Sequence, residues 1–408
     1  MHAYPAQLAD FVLDQWPAAV PLGLERRALV ELLSTCFQAS LTHEEGRAVR
    51  FRLAAAPPAA LAAALASEDF PPLVFGEPQP LTTETLRRLS PAASFHASVI
   101  GASCQSGDWS LWGMVHTGAD WLAPTWGGRD HHRDFGLAQV HVLGPGRLSV
   151  YAGSNLVASL ERGSIEATTT DVFTSDWLRD LFRSNRQQLA RPDDELSLAD
   201  DAFVRTISQH MVRRAMFLIR QAGNGGLILF ADPALFEGNT DRGPLKLKYS
   251  FAAGAARQRY RLLLRQLIRA LGARGGEGPI NLERFLSTET PDVLEIEQAI
   301  FEVSSLIAGL AEVDGAVVID KRLELIGFGA EVSGELPYPD TVWQALDVEA
   351  ERRAPEAANA VGTRHRAAYR FVTAHPQGLA IVVSHDGIVR FVASLAGQVV
   401  FWDQFLNW

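Results

Sequence analysis

The chain has 408 residues, of which 47% are hydrophobic and 21% charged, and its formal net charge is −10. That length accommodates two or three domains, and the acidic balance argues against nucleic acid as a partner while leaving room for a local phosphate pocket. Cys36 and Cys104 stand far apart in no motif, Met1-His2-Ala3-Tyr4 opens no signal peptide, and no stretch is apolar enough to span a bilayer; a cytoplasmic protein, with no membrane contact, is expected.

Residues 1–78 read as a helical region. Leu8, Phe11 and Val12 make one apolar stripe, and Leu29, Leu32, Leu33 and Phe37 make another. Pro57-Pro58 interrupts before the run Leu61-Ala62-Ala63-Ala64-Leu65. Nothing in this region carries chemistry, so a packing or dimerisation role is expected.

Residues 79–192 change to strand period, as a β-rich antiparallel domain with a closing helix. Phe95, Ala97 and Val99 alternate with His96, Ser98 and Ile100, and apolar runs at 109–116, 140–143, 148–151 and 156–160 are separated by glycine-containing turns. Trp109, Trp112, Trp121 and Trp126 fall here; a packed core explains them better than a stacking platform. His131 and His132 stand between Asp130 and Asp134, where a solvated loop is expected before a metal site.

The charged break Arg191-Pro192-Asp193-Asp194-Glu195 opens a third region, 193–408. It begins with a helix through Ile207, Met211 and Ala215 that stops at Gly223. Leu227-Ile228-Leu229-Phe230 follows as a buried strand. A helix built on Tyr260, Leu264, Leu267 and Leu271 carries an arginine face of Arg257, Arg259, Arg261, Arg265 and Arg269, read as solvated. A further helix starts at Thr290-Pro291 and leads directly to Asp314. Strands are expected at 317–319, 323–329, 379–384, 388–393 and 398–402, and a loop with one short helix near 354–360 fills 333–361.

Two motifs in this region carry chemistry. Gly362-Thr363-Arg364-His365-Arg366 opens an amphipathic helix, and a helix N-terminus favours anions through its free N–H groups and its dipole. Guanidinium forks on Arg364 and Arg366 would pair there with phosphate oxygens. Asp314-Gly315-Ala316 lies where a helix meets a buried strand. An aspartate so placed can hold a divalent ion or accept a proton, and Gly315 would let a ligand approach the backbone. Alone, an Asp-Gly pair is more often a turn.

Together, Asp314-Gly315-Ala316, Thr363-Arg364-His365-Arg366 and the strand ending at Ser384 resemble the diadenylate cyclase (DAC) domain of DNA-integrity scanning proteins. Gly327-Phe328-Gly329-Ala330-Glu331 and the ending Val389-Arg390-Phe391-Val392 with Phe401-Trp402-Asp403-Gln404 are similar to the related group called probable sensor domain DACNV. The resemblance implies an α/β (α+β) domain with a central mixed sheet flanked by helices. It implies an enzyme that condenses two ATP into cyclic di-AMP and two pyrophosphates between two facing domains, hence a homo-oligomer.

In that family's pattern Asp314 and His365 are catalytic and hold Mn²⁺ or Mg²⁺. Gly315, Ala316, Thr363, Arg364, His365, Arg366 and Ser384 contact the nucleotide. The pattern departs at Arg370-Phe371-Val372, where many members carry a glutamate, and at His385-Asp386, where an acidic pair is common. A sensor that binds ATP or a cyclic dinucleotide without turnover is therefore the alternative.

Overall fold

In the computed structural model, the residues described are 2–65, 71–117, 137–153, 155–161, 163–166, 171–189, 195–236, 245–275, 278–359, 361–385 and 388–404. They form two compact units, one ending at residue 166 and one beginning at 171.

The first unit starts with α1 (Pro5–Gln15) and α2 (Arg26–Ser40). A two-residue ladder of β1 (His43–Glu44) and β2 (Arg47–Ala48) leads into β3 (Phe51–Ala55), then α3 (Pro58–Leu65), β4 (Leu73–Pro80) and α4 (Thr83–Leu89). Strands β5 (Ser98–Gln105), β6 (Asp108–His116), β7 (Ala138–Gly144), β8 (Arg147–Ala152), β9 (Asn155–Glu161) and β10 (Ser164–Glu166) complete it. One eight-stranded sheet results, ordered β10-β9-β8-β7-β3-β5-β6-β4, antiparallel except for β3 beside β5.

The reading of residues 1–78 as helical is corrected here. Phe51 and Leu53 face a core shared with Leu8, Leu29, Leu32 and Val142, so β3 is an inner strand of the sheet. Its alternate residue Arg52 is fully buried; Nε donates to the Phe95 carbonyl and Nη2 to Thr117 Oγ1, each at 2.8 Å. Arg52, His141, Ser149 and Ser159 are register partners in succession, giving a buried polar row across four strands.

Trp109 and Trp112 are both buried. Each indole N–H reaches a backbone carbonyl, that of Ala28 and Ala56 respectively, as a packed core requires. Trp121, Trp126 and the 127–134 stretch lie outside the described residues.

In the second unit, α5 (Asp176–Leu189) and α6 (Asp201–Ala222) precede β11 (Gly226–Phe230) and β12 (Leu245–Ser250). Helix α6 is capped by the Asp200 carboxylate, which accepts from the Phe203 amide, and ends on Gly223 in the left-handed region at φ +76°. Next come α7 (Arg259–Gly272), α8 (Leu282–Leu286) and α9 (Pro291–Ala311), then β13 (Ala316–Ile319), β14 (Leu325–Val332), β15 (Thr341–Ala345) and β16 (Arg353–Ala357). Helix α10 (Thr363–Ala374) and strands β17 (Leu379–Val383), β18 (Val389–Leu395) and β19 (Gln398–Gln404) close the unit.

The sheet order is β12-β14-β13-β11-β17-β18-β19-β15-β16, with β11/β13 and β15/β19 parallel. This is the mixed sheet flanked by helices that the sequence implied. Strands β11, β13 and β17 are buried along their whole length because helices cover both faces, so their apolar runs are continuous. Leu227, Leu229, Ala380 and Val382 face α10; Phe230, Leu379 and Ile381 face the other way.

Two local expectations change. The helix placed near 354–360 is instead strand β16, paired with β15. The strand placed at 323–329 begins at Leu325 and runs to Val332, because Leu323 occupies a turn at φ +62°. The β18–β19 hairpin turns through Ala396 and Gly397, both at positive φ, as a two-residue connection of right-handed twist requires.

Among the described residues no helix is long and apolar enough to cross a membrane.

Candidate functional site

The site lies where β11 and β13 begin and β14 and β17 end. Asp314 and Gly315, Thr363 and Arg364 with Ala367 from the first turns of α10, and Leu227 line one cavity of about 690 Å³. Lys246 of β12 and a wall formed by residues 330–333 and Glu335 complete it. A volume in this range suits a nucleotide-sized ligand. The two motifs, far apart in sequence, thus meet around one space.

Gly315 is required for a reason other than ligand approach. Its φ is +110°, and a Cβ there would come within 2.6 Å of the Gly329 carbonyl carbon and 2.9 Å of the Ala330 oxygen. Both contacts are backbone of β14, which cannot yield as a side-chain end would. The glycine lets β14 pass close by and leaves Asp314 exposed at the cavity.

Helix α10 starts at Gly362, which supplies no side-chain cap. The first intrahelical bond runs from the Arg366 amide to the Gly362 carbonyl at 3.1 Å, so the Thr363 and Arg364 amides precede the ladder at the cavity side. The helix is held to the sheet by Tyr369, whose hydroxyl accepts from Arg390 Nη1 at 2.9 Å. Arg390 in turn forks onto Asp403, its register partner in the hairpin, at 2.7 and 3.0 Å.

An α-helix advances about 100° per residue, so three consecutive side chains cannot share a direction. Arg364 lines the cavity and lies beside Gly225, where a Cβ would fall 3.0 Å from its Nη1. His365 turns toward β17, its Nε2 3.4 Å from Ser384 Oγ. Arg366 is exposed and close enough to the Tyr338 phenol to oppose the rise in pKa that burial imposes. Neither Arg366, His365, Ser384 nor Ala316 is among the lining residues. Of the two arginines expected together, Arg364 lines the cavity at the helix end and Arg366 does not; Ser384 lies against His365. Asp386 is outside the described residues.

Several lining groups escaped the sequence reading. Lys246 stands opposite Glu331 across the β12–β14 ladder. Lys248 pairs with Glu331 at 2.8 Å, and that hydrogen bond holds the Glu331 carboxyl below its usual range and raises the Lys248 ammonium, with Asp314 adding to the latter. The alternation Leu245-Lys246-Leu247-Lys248 was a visible signal for a strand with a cationic face, but its pairing with residue 331 was not.

Arg370 belongs to the Arg370-Phe371-Val372 stretch in which the sequence departs from the resembled pattern. Its Nη1 donates to the carbonyls of Gly334 and Leu336 at 2.8 and 2.6 Å, and its guanidinium lies 4.6 Å from the Tyr338 ring centre. It thereby pins the segment that brings Ser333 and Glu335 to the cavity.

Among the described residues no group of three or more His, Cys, Asp or Glu is placed to hold a metal ion. Asp314 alone offers an oxygen donor in the first motif, which fits an ion that takes one or two carboxylates and completes its shell with phosphate oxygens and water.

Residues 21–116 match the family model described as probable sensor domain DACNV. The match runs through the first unit, from α2 to β6, whereas the similarity to that group noted from sequence rested on residues 327–331, 389–392 and 401–404. No curated protein and no solved structure matches the chain.

Proposed function

We propose that the second unit is a diadenylate cyclase, active when two copies face each other, and that the first unit carries a sensing role. The observation that supports the cyclase is the convergence of Asp314, Thr363 and Arg364 on one cavity of nucleotide size. The sensing role rests on the family description matched by residues 21–116.

In this reading each copy holds one ATP. The N-terminus of α10 and Arg364 bind the triphosphate, with Lys246 as the second lining cation. The 3′-hydroxyl oxygen of one ATP bonds to the α-phosphorus of the other. The bond from that phosphorus to the bridging oxygen of the β-phosphate breaks, and pyrophosphate leaves with the electron pair. Asp314 receives the hydroxyl proton directly or through water. Repeating the step in the opposite sense closes cyclic di-AMP. When bound, Mg²⁺ or Mn²⁺ on Asp314 and the phosphate oxygens would neutralise charge on the reacting phosphate. His365, fixed by Ser384, orients the first turn of α10 and is a positioning residue here.

The Arg370-Phe371-Val372 stretch favours a second reading, in which the site binds ATP or a cyclic dinucleotide without turnover, because it lacks the glutamate that many members of the resembled family carry there and Arg370 is instead fixed on Gly334 and Leu336.

The test is purified full-length protein with ATP and Mn²⁺, assayed for cyclic di-AMP, beside Asp314→Asn, Arg364→Ala and Arg366→Ala. The cyclase reading expects product from the wild type, none from Asp314→Asn, and a much larger loss of ATP affinity for Arg364→Ala than for Arg366→Ala. ATP binding without product in the wild type would select the second reading. Equal product from Asp314→Asn would remove that residue from its role.

A further inference from the structure

On the face of the second sheet away from α10 lies a separate cavity of about 370 Å³, enclosed by α5, α6, α7 and strands β11, β17 and β18. Phe230, Leu379, Ile381 and Phe391 form its floor, with Phe182 and Leu264 on its sides. Ser208, Gln209 and Tyr260 in these walls are already engaged. Ser208 Oγ donates to the Val204 carbonyl at 2.7 Å and lies 2.8 Å from the Tyr260 hydroxyl, and Gln209 donates to the Phe173 carbonyl at 2.9 Å.

The charged lining is one-sided. Arg179, Arg205, Arg261, Lys321 and Arg322 line the space with one acid, Asp201, while Arg179 also pairs with Asp176 at 2.8 Å outside the lining. Arg261 belongs to the arginine face of α7, which the sequence left as a solvated surface. Two arginines of that run are paired, since Arg257 lies 3.6 Å from Glu324 and Arg269 pairs with Glu195. Arg322 is exposed and Arg205 and Lys321 are half-buried, so charge stands where the apolar space meets water.

We propose that this cavity binds a monoanionic carboxylate carrying an apolar body. A dry apolar cavity of about 150 Å³ takes up benzene, so this space suits a body of roughly ten to fifteen carbon atoms. Apolar walls gain contact energy from a ligand body that fits them. Guanidinium forks select a carboxylate headgroup over a neutral one. The nucleotide site lies on the opposite face of the sheet, so the two ligands do not compete for lining residues.

The probe is decanoate, with decanol as the equal-length neutral control, titrated calorimetrically into the full chain. Decanoate should bind saturably at one site and raise the unfolding temperature, and decanol should bind roughly tenfold more weakly or worse. Leu264→Trp, which fills the space, should remove decanoate binding. Arg205→Glu, a half-buried rim change, should weaken decanoate by roughly tenfold and leave decanol as in the wild type. Absence of saturable decanoate binding to the wild type would overturn the proposal, and so would equal affinity for decanol. Decanoate binding unaltered in both variants would place it elsewhere on the chain and overturn the proposal equally.

Discussion

Replacing Arg370 by alanine should loosen one wall of the candidate nucleotide site without unfolding the unit. The side chain donates twice from Nη1, to Gly334 and Leu336, and stacks over Tyr338. Two hydrogen bonds at a net of about 1 kcal/mol each and a cation–π contact of about 0.5–1 kcal/mol sum to about 2.5–3 kcal/mol. That energy opposes local opening of residues 333–338, so its loss should raise the opening constant by roughly a hundredfold. Hydrogen exchange reports this directly, through the Leu336 amide, which bonds the Ser333 carbonyl, and the Glu335 amide, which bonds Ser333 Oγ. Both should lose protection by about that factor, while the amides of β17 keep theirs. Arg370→Lys, with a compact ammonium in place of the fork, should recover part of the protection. Unchanged protection at Glu335 and Leu336 in the alanine variant would refute the clamp.

Two further outcomes follow from the geometry. Gly315→Ala places a methyl group against the β14 backbone at positive φ and should cost about 2–4 kcal/mol in unfolding free energy; Gly362→Ala, with φ −68° and open space around it, should cost under about 1 kcal/mol. Denaturant titration of both variants checks the contrast, and equal costs would remove the close approach as the cause. Burial, assisted by Arg213 and Arg214, lowers the His210 pKa to about 4. The unfolded state then binds more protons than the folded one between that value and the ordinary 6.5, so stability is full above pH 6.5 and falls on acidification toward pH 4. The loss reaches about 2–3 kcal/mol. His210→Gln should flatten this part of the stability–pH curve, and an unaltered slope would assign it to other groups.

What the sequence made legible was local. Strands β11 and β17 are unbroken apolar runs ending at special residues, and α9 announces itself with Pro291 at its first position. The errors came where tertiary context overrides propensity. Phe51–Ala55 sits in an alanine-rich stretch, and its strand character depends on burying Arg52 among carbonyl and hydroxyl acceptors contributed by distant residues. Strand β16 contains Pro355 and two alanines and reads as loop; it is tolerated because β16 is the sheet's edge.

In the candidate site, Asp314 and Arg364 were readable as motif residues. The separation of Arg364, His365 and Arg366 follows from helical period alone and was available in principle. The Lys246–Glu331 wall depends on which strands pair, and no single-chain pattern specifies that.

The pairing of β11 has a consequence for how the site comes into being during synthesis. Ile228 pairs with Val317 on one side and Ile381 on the other. Both partners emerge from the ribosome long after β11, and the second emerges only after α10. The nascent chain therefore carries an apolar strand with two bare edges through the production of β12 and three helices, and with one bare edge until β17 follows α10. Strand pairings this distant in sequence place folding in the slow, aggregation-exposed regime. Truncations ending before residue 379 should accordingly lack the cavity and should require holding by chaperones, even though both of its motifs are already present in the chain.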